Sequence, residues 1–200
     1  MEEYEEKQSN VVRLVGAVAS EFAYDHELYG EKYYQITLAV NRDSGKVDTI
    51  PVLISDRLIN VRENYIGKCI YIKGQFRSYN QHEGDRSRVK LYVFALAVEM
   101  LEEQKSYNDI FLEGYLCKPP IYRLTPMGRE ITDLMLAVNR SYNKSDYIPC
   151  ICWGRNAYYS SHLVAGDLVR LAGRIQSREY NKDGVVKVAY ELSVNIIEKA

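Results

Sequence analysis

Aromatic and basic side chains alternate through the second half of the chain in a pattern that suits a flat, negatively charged ligand. The rings belong to Tyr142, Tyr147, Trp153 and Tyr180, and the cations belong to Arg140, Lys144, Arg174 and Arg178. Aromatic rings can stack on planar groups while tyrosine keeps its hydroxyl in water, and nearby cations can contact phosphates. The pattern therefore predicts a surface on which successive nucleic-acid bases stack.

Strand geometry would bring most of these side chains together. Residues i and i+2 of an extended strand share a face, so Tyr147 and Trp153 lie on one side of a strand predicted over residues 146–153. Arg174 and Tyr180 share a face of a later strand in the same way. The alternative for these rings is packing in the core or at a sheet edge, because aromatic residues are common in strands for that reason.

The composition limits the class of protein. The 200 residues are 46% hydrophobic and 26% charged, which excludes a disordered chain. No apolar run reaches the roughly 20 residues that span a bilayer, and the acidic N-terminus lacks a signal-peptide pattern, so we expect a cytoplasmic protein. The net charge is −1 with both halves near neutral, so any anion site must be a local cluster.

Residues that could support catalysis or bind a metal are sparse. The cysteines form no CxxC pair, and none of the three histidines stands near them in a ligand-like spacing. We expect the thiols of Cys69, Cys117, Cys150 and Cys152 to be small core residues, with a structural zinc as the alternative. No phosphate-binding GxxxxGK[ST] loop and no cluster of acids is present, so neither an enzyme nor a cofactor is predicted.

The sequence is a tandem repeat. Leu-Ala-Val-Asn-Arg occurs at residues 38–42 and, 98 residues later, at 136–140. Further matches follow in order at this offset or the next: Asn10 with Asn108, Gly16 with Gly114, Asp48 with Asp146, Gly74 with Gly173, and Ser78 with Ser177. We therefore predict two like domains, over residues 1–103 and 107–200, packed closely across a short polar join.

Each copy has the element order of an OB-fold. The second copy predicts strands over 109–117, 131–139, 146–153, 167–178 and 186–197, a helix over 155–164 and a turn at 181–184. The first copy repeats this order, with its helix over 56–66. Three strands, a short helix and two more strands indicate an all-β protein of two tandem five-stranded Greek-key barrels, each with one short helix.

Four stretches of the second copy form a specific combined pattern. They are Leu136–Arg140, Asp146–Gly154, Leu163–Gly166 and Gly173–Tyr180, preceded by Asn108, Leu112–Gly114 and Pro119–Pro120. Together they resemble the bacterial single-stranded DNA-binding protein family, over the second copy and more weakly over the first. The resemblance implies binding of single-stranded DNA without catalysis and with little sequence preference, in replication, recombination or repair.

The resemblance also assigns roles to residues. The base-stacking positions of the family fall on Tyr142, in the loop before the third strand, and on Tyr147, Trp153 and Tyr180. The matching positions of the first copy hold Ser44, Thr49 and Ser55. The first copy therefore keeps the scaffold with a degenerate binding face, and its secondary candidates are Arg77, Tyr79, Arg86 and Arg88.

The expected partners follow from the family. Its members usually work with four OB-folds together, which implies a homodimer of this chain, with the first copy as its interface. The chain stops directly after its last predicted strand, so recruitment of enzymes through an acidic tail is not expected. Two alternatives stay open: an assembly module with weak nucleic-acid affinity, such as a replication-restart or mobile-element accessory factor, and binding of single-stranded RNA.

Overall fold

The computed structural model describes residues 9–83 and 86–200, without the side chains of residues 81–88. The first half forms β1 (Asn10–Val18), β2 (Ala23–Leu28), β3 (Glu31–Asn41), β4 (Val47–Ser55), β5 (Cys69–Glu83) and β6 (Arg86–Leu101). The second half forms β7 (Tyr107–Leu116), β8 (Ile121–Leu124), β9 (Glu130–Arg140), β10 (Lys144–Trp153), α1 (Arg155–Ser160), β11 (Leu168–Lys182) and β12 (Val185–Lys199).

Five strands of each half close into a barrel. In the first half β1 pairs with β3 and β5, β3 pairs with β4, β6 pairs with β5, and β4 runs parallel to β6. The second half repeats this circuit with β7, β9, β10, β12 and β11. Matched apolar residues fill the two interiors, among them Ile50 and Ile148. The predicted pair of OB-fold barrels is confirmed, and β2 and β8 add a hairpin arm to each.

The helix predicted over residues 56–66 is wrong. That stretch consists of turns in which side chains bond to nearby backbone groups. Asn60 Oδ1 accepts from the Arg62 N–H at 3.3 Å, and Asn64 Oδ1 accepts from the Ile66 N–H at 2.9 Å. Such bonds compete with helical ones. The predicted helix of the second half exists but ends at Ser160, and none of the helices in the described ranges is long and apolar enough to cross a membrane.

Strand pairing joins the two barrels. β1 and β7 run antiparallel from Asn10 opposite Leu112 to Val15 opposite Tyr107, so one continuous sheet passes through both halves. The two barrels are related by an approximate two-fold axis, because β1 and β7 are the same strand of the repeat and pair antiparallel. The close packing predicted for the two copies therefore has a backbone hydrogen-bond network behind it.

Each barrel has a long hairpin, β5–β6 in the first and β11–β12 in the second. Two matching sets of hydrogen bonds, here called latches, hold each hairpin against the other barrel. Asp48 Oδ1 accepts from the Ser177 N–H at 2.7 Å, and the Thr49 N–H donates to Ser177 Oγ at 3.0 Å. On the other side Asp146 Oδ1 accepts from the Ser78 N–H at 2.8 Å, and the Tyr147 N–H donates to Ser78 Oγ at 2.8 Å. The repeated aspartate and serine thus hold the two halves together.

A repeated glycine closes each barrel. A Cβ added at Gly114 would overlap the carbonyl oxygen of Ala137, and one added at Gly16 would overlap that of Ala39. The strands approach so closely at this point that only glycine fits.

Candidate nucleic-acid interface

Tyr147 and Trp153 stand on the outer face of β10, while Ile148 on the opposite face lies in the core. Tyr147 is 49% exposed and Trp153 is 38% exposed. These two rings are therefore not packed in the core. Each offers a ring surface to a ligand.

The four predicted rings do not converge on one spot. Tyr147 and Tyr180 line the same groove, whereas Trp153 lies six residues farther along β10, about 20 Å away by strand rise. Tyr142 is 94% exposed in the turn between β9 and β10, where its φ of 62° places it in the left-handed region. The arrangement is a line of rings along one side of the barrel.

The groove lies between the two barrels and has a volume of about 1010 Å³. Its rings come from both halves: Tyr79, Tyr92, Tyr147, Tyr180 and Tyr190. Lys90, Lys118 and Lys187 supply its cations, and none of the described residues that line it is acidic. Burial raises the pKa of Tyr79, Tyr92 and Tyr190, so these hydroxyls stay neutral and do not repel an anion. A nearly neutral chain thus has a basic, aromatic groove.

The predicted cations occupy different surroundings. Arg140 Nε lies 3.6 Å from Asp146 Oδ2, which gives it a role in the latch, and Arg178 Nε lies 3.7 Å from Glu191 Oε1 while its side chain stays largely exposed. Lys144 is exposed at the start of β10. Arg178 and Lys144 are therefore the more accessible to a phosphate.

Arg174 lines a second cavity of about 510 Å³, with Arg42 and Asp48. Its Nε is buried and has no hydrogen-bond partner among the described residues, and its terminal nitrogen donates to Gln176 Oε1 at 3.3 Å. Burial and the Arg42 charge lower the pKa of Arg174. This guanidinium lies at the junction between the barrels, in a cavity separate from the groove.

The candidates of the first copy are dispersed. Ser44 and Thr49 are exposed and Ser55 is buried. Tyr79 lines the groove, and the Arg77 guanidinium carbon lies 3.8 Å above the Phe94 ring. The side chains of Arg86 and Arg88 lie outside the described residues.

Three of the four cysteines are core residues, as expected. Cys69, Cys150 and Cys152 are buried, and burial raises the pKa of the Cys152 thiol to about 11. Cys117 is exposed, which corrects the prediction, because it follows the last residue of β7 and faces the groove. Across the described part of the chain, no group of three or more His, Cys, Asp and Glu residues is placed to hold a metal ion.

The sequence pattern does not reveal the groove lysines or two of the groove's rings, Tyr92 and Tyr190. Strand alternation assigns each residue to a face of its own strand. It does not show which strands of one barrel meet the other barrel. No local signal in the sequence marks Lys90, Lys118 or Lys187 as neighbours.

Known proteins resemble this chain at two levels. Residues 107–199 match the model of the "Single-strand binding protein family". "Single-stranded DNA-binding protein B" of Bacillus subtilis is 37% identical over 87 residues, which are 40% of this chain and 77% of that protein. The "Single-stranded DNA-binding protein" of Clostridium tetani is 36% identical over 93 residues, and the chain covers 64% of its length.

A solved structure extends the likeness in fold to both halves. The crystal structure of the wild-type single-stranded DNA binding protein from Thermus aquaticus aligns with a TM-score of 0.78 over 96% of this chain and 92% of that one, at 20% identity. Two barrels in one chain are therefore a known arrangement. The sequence identity that specifies the family lies in the second barrel, where the ring line also lies, and on that identity the chain belongs to the single-strand binding protein family.

Proposed function

We propose that this protein binds single-stranded DNA without catalysis and with little sequence preference, in replication, recombination or repair. The groove between the barrels carries the proposal, because it combines five tyrosines and three lysines with no acid among its described lining. Bases can stack on the rings and phosphates can meet the lysines. Tyr142 and Trp153 extend the ring line beyond the groove.

Weak sequence preference follows from the chemistry of the surface. Every base has a π-face, so stacking on Tyr147, Trp153 or Tyr180 does not distinguish bases as edge-reading hydrogen bonds do. A duplex keeps its bases stacked on one another and presents mainly phosphates. Single strands are therefore the preferred ligand.

A fluorescence titration at several salt concentrations tests the function. An unstructured DNA oligonucleotide should bind, and log affinity should fall with log salt by about 0.7 for each phosphate neutralised. Lys187→Gln should reduce this slope by about that amount, whereas Lys73→Gln, at an exposed site of β5 outside the groove, should leave it unchanged. Oligonucleotide binding no tighter than duplex binding would contradict the proposal. A single-stranded RNA of the same length decides between the two nucleic acids.

The assembly is a further part of the proposal. We propose a homodimer, because two chains would together supply four barrels, and we propose that it acts in the cytoplasm. The first copy is the half that provides the contact.

A further inference from the structure

The first barrel has aromatic rings on the same outer face where its matched positions lack them. Tyr33, Tyr92 and Phe94 are all partly exposed there. They come from β3 and β6 rather than from β4, so a comparison of matched positions does not find them. Their placement relative to the second barrel shows how the two faces differ.

At one pair of opposed residues, the two barrels have their aromatic ring on different strands. Trp153 of β10 stands directly opposite Ile131 of β9. At the same rung of the first barrel, Ser55 of β4 stands opposite Tyr33 of β3. Directly opposed residues of an antiparallel pair lie on one face, with Cβ atoms about 4.5–5.5 Å apart. Each barrel thus has one ring at this rung, from opposite strands.

The neighbouring strand adds two more rings in the first barrel. Tyr92 and Phe94 of β6 stand opposite Arg77 and Gln75. The second barrel has Glu191 opposite Gln176 and Ser193 opposite Arg174 at these rungs. Glu191 accepts from Gln176 Nε2 at 2.6 Å there. The first barrel therefore has two rings beside an arginine at the positions where the second barrel has a glutamate and a serine.

The rings of the first barrel form a continuous row, stacked between His26 and Tyr33 and tilted by 32° between Tyr33 and Phe94. The centroids of His26 and Tyr33 lie 4.8 Å apart with nearly parallel planes, and those of Tyr33 and Phe94 lie 5.9 Å apart. The Arg77 guanidinium lies over Phe94 at 3.8 Å. Nucleic-acid bases stack on guanidinium planes as well as on rings. The row therefore contains a guanidinium plane as well as rings.

The row is continuous with the groove. Tyr92 of β6 lines the groove, and its ring centroid lies 5.5 Å from that of Tyr79, another lining residue. Phe94 follows Tyr92 at the next outward position of the same strand. A strand held by Tyr147 and Tyr180 can therefore reach the first barrel without leaving aromatic surface.

We propose that Tyr33, Tyr92, Phe94 and Arg77 form a second base-stacking surface, on which a single strand continues from the groove across the first barrel. This inference rests on the proposed function and names a site in the half whose matched stacking positions are lost. The bound strand then contacts both barrels of one chain. The second barrel alone suffices for a short strand.

The test gives the first barrel the side chains that the second barrel has at the matching sites. The double variant combines Tyr33→Ile, which matches Ile131, with Phe94→Ser, which matches Ser193. The same fold already accommodates both side chains at these sites. Met100→Ser, at an exposed site near the end of β6, is the matched control. Titration uses two DNA oligonucleotides, one of about 8 and one of about 30 nucleotides, because an OB-fold covers about 4–16.

The double variant should lose about 5- to 150-fold in affinity for the longer oligonucleotide, the range for one base stack. Its affinity for the shorter one, followed by quenching of Trp153, should stay unchanged. An unchanged affinity for the longer oligonucleotide would overturn the inference while leaving the proposed function intact. Failure of the unmodified protein to bind either oligonucleotide would instead refute the function.

A second measurement avoids variants. The unmodified protein is irradiated with a long oligonucleotide that contains 5-iodouracil, and mass spectrometry locates the adducts. Adducts at Tyr33 or Phe94, which do not line the groove, would support the second surface. Adducts confined to groove residues and to residues 107–200 would overturn it.

Discussion

At the scale of single residues, binding depends on which rings remain open to solvent. Trp153 and Tyr147 keep an exposed ring surface although their neighbours Ile148 and Cys152 are buried, because both rings occupy outward positions of the strand. Ser55 occupies the place of Trp153 in the first barrel and is buried opposite Tyr33. One rung of the repeat thus has the aromatic residue on alternative strands.

Trp153→Ala should weaken binding of single-stranded DNA by about 1–3 kcal/mol, because one base loses its stacking partner. As the single tryptophan of the chain, Trp153 also reports on binding. Its fluorescence should be quenched by single-stranded oligonucleotide and not by duplex. A titration of the unmodified protein and the variant measures both effects.

Ser55→Ala is the matched control for that substitution. It removes a buried hydroxyl at the equivalent site and should leave DNA affinity almost unchanged. Unquenched emission at saturating DNA would show that Trp153 is not part of the interface.

At the scale of elements, the long hairpins do more than close their own barrels. Ser78 of β5 binds the second barrel, and Ser177 of β11 binds the first. Asp48 is fully buried, with its carboxylate shared between the Ser177 N–H and the Arg42 guanidinium, whose Nε donates to Oδ2 at 2.7 Å. The latch therefore couples hairpin position to a buried ion pair.

Asp48→Ala should lower the free energy of unfolding by about 3 kcal/mol, because it leaves the Arg42 guanidinium and the Ser177 N–H without their partner. The value is at the lower end of the range for a buried pair, since Arg42 keeps some contact with water. Urea denaturation measures the difference. Asp43→Ala, at an exposed site between β3 and β4, should change stability by less than about 0.5 kcal/mol. Equal losses from both variants would contradict the latch.

The strands could be predicted from the sequence, and the latches could not. Alternation and turn residues are local signals, so they predict β9 and β10 to within a few residues, and also the turn after Lys182. Asp146 and Ser78 stood out only as repeated residues. Their hydrogen bond joins positions 68 residues apart, and nothing local encodes that distance. The missing helix shows the same limit, because its apolar spacing was helical while its asparagines favoured turns.

At the scale of the whole molecule, the two barrels behave as one body. The β1–β7 pairing and both latches lie between them, so neither barrel can turn without breaking hydrogen bonds. The second stacking surface reserves the outer face of the first barrel for nucleic acid. A dimer contact would therefore use another part of the first copy.

Light scattering at micromolar concentration should give about twice the 23.1 kDa mass of the chain. Two chains would supply the four barrels of the proposed homodimer. The measurement should be repeated with a saturating oligonucleotide, which should leave the mass of the protein component unchanged. A single chain under both conditions would contradict the homodimer.

The pairing of β1 with β7 places within one polypeptide a contact of the kind that identical subunits make across a two-fold axis. In a homodimer every substitution appears in both halves at once. Here each half can change alone, and the groove is lined by Tyr92 of the first half and by Tyr147 of the second, at positions that do not match. A DNA strand has chemically distinct 5′ and 3′ ends. A groove with unlike halves therefore favours one polarity of the bound strand over its reverse.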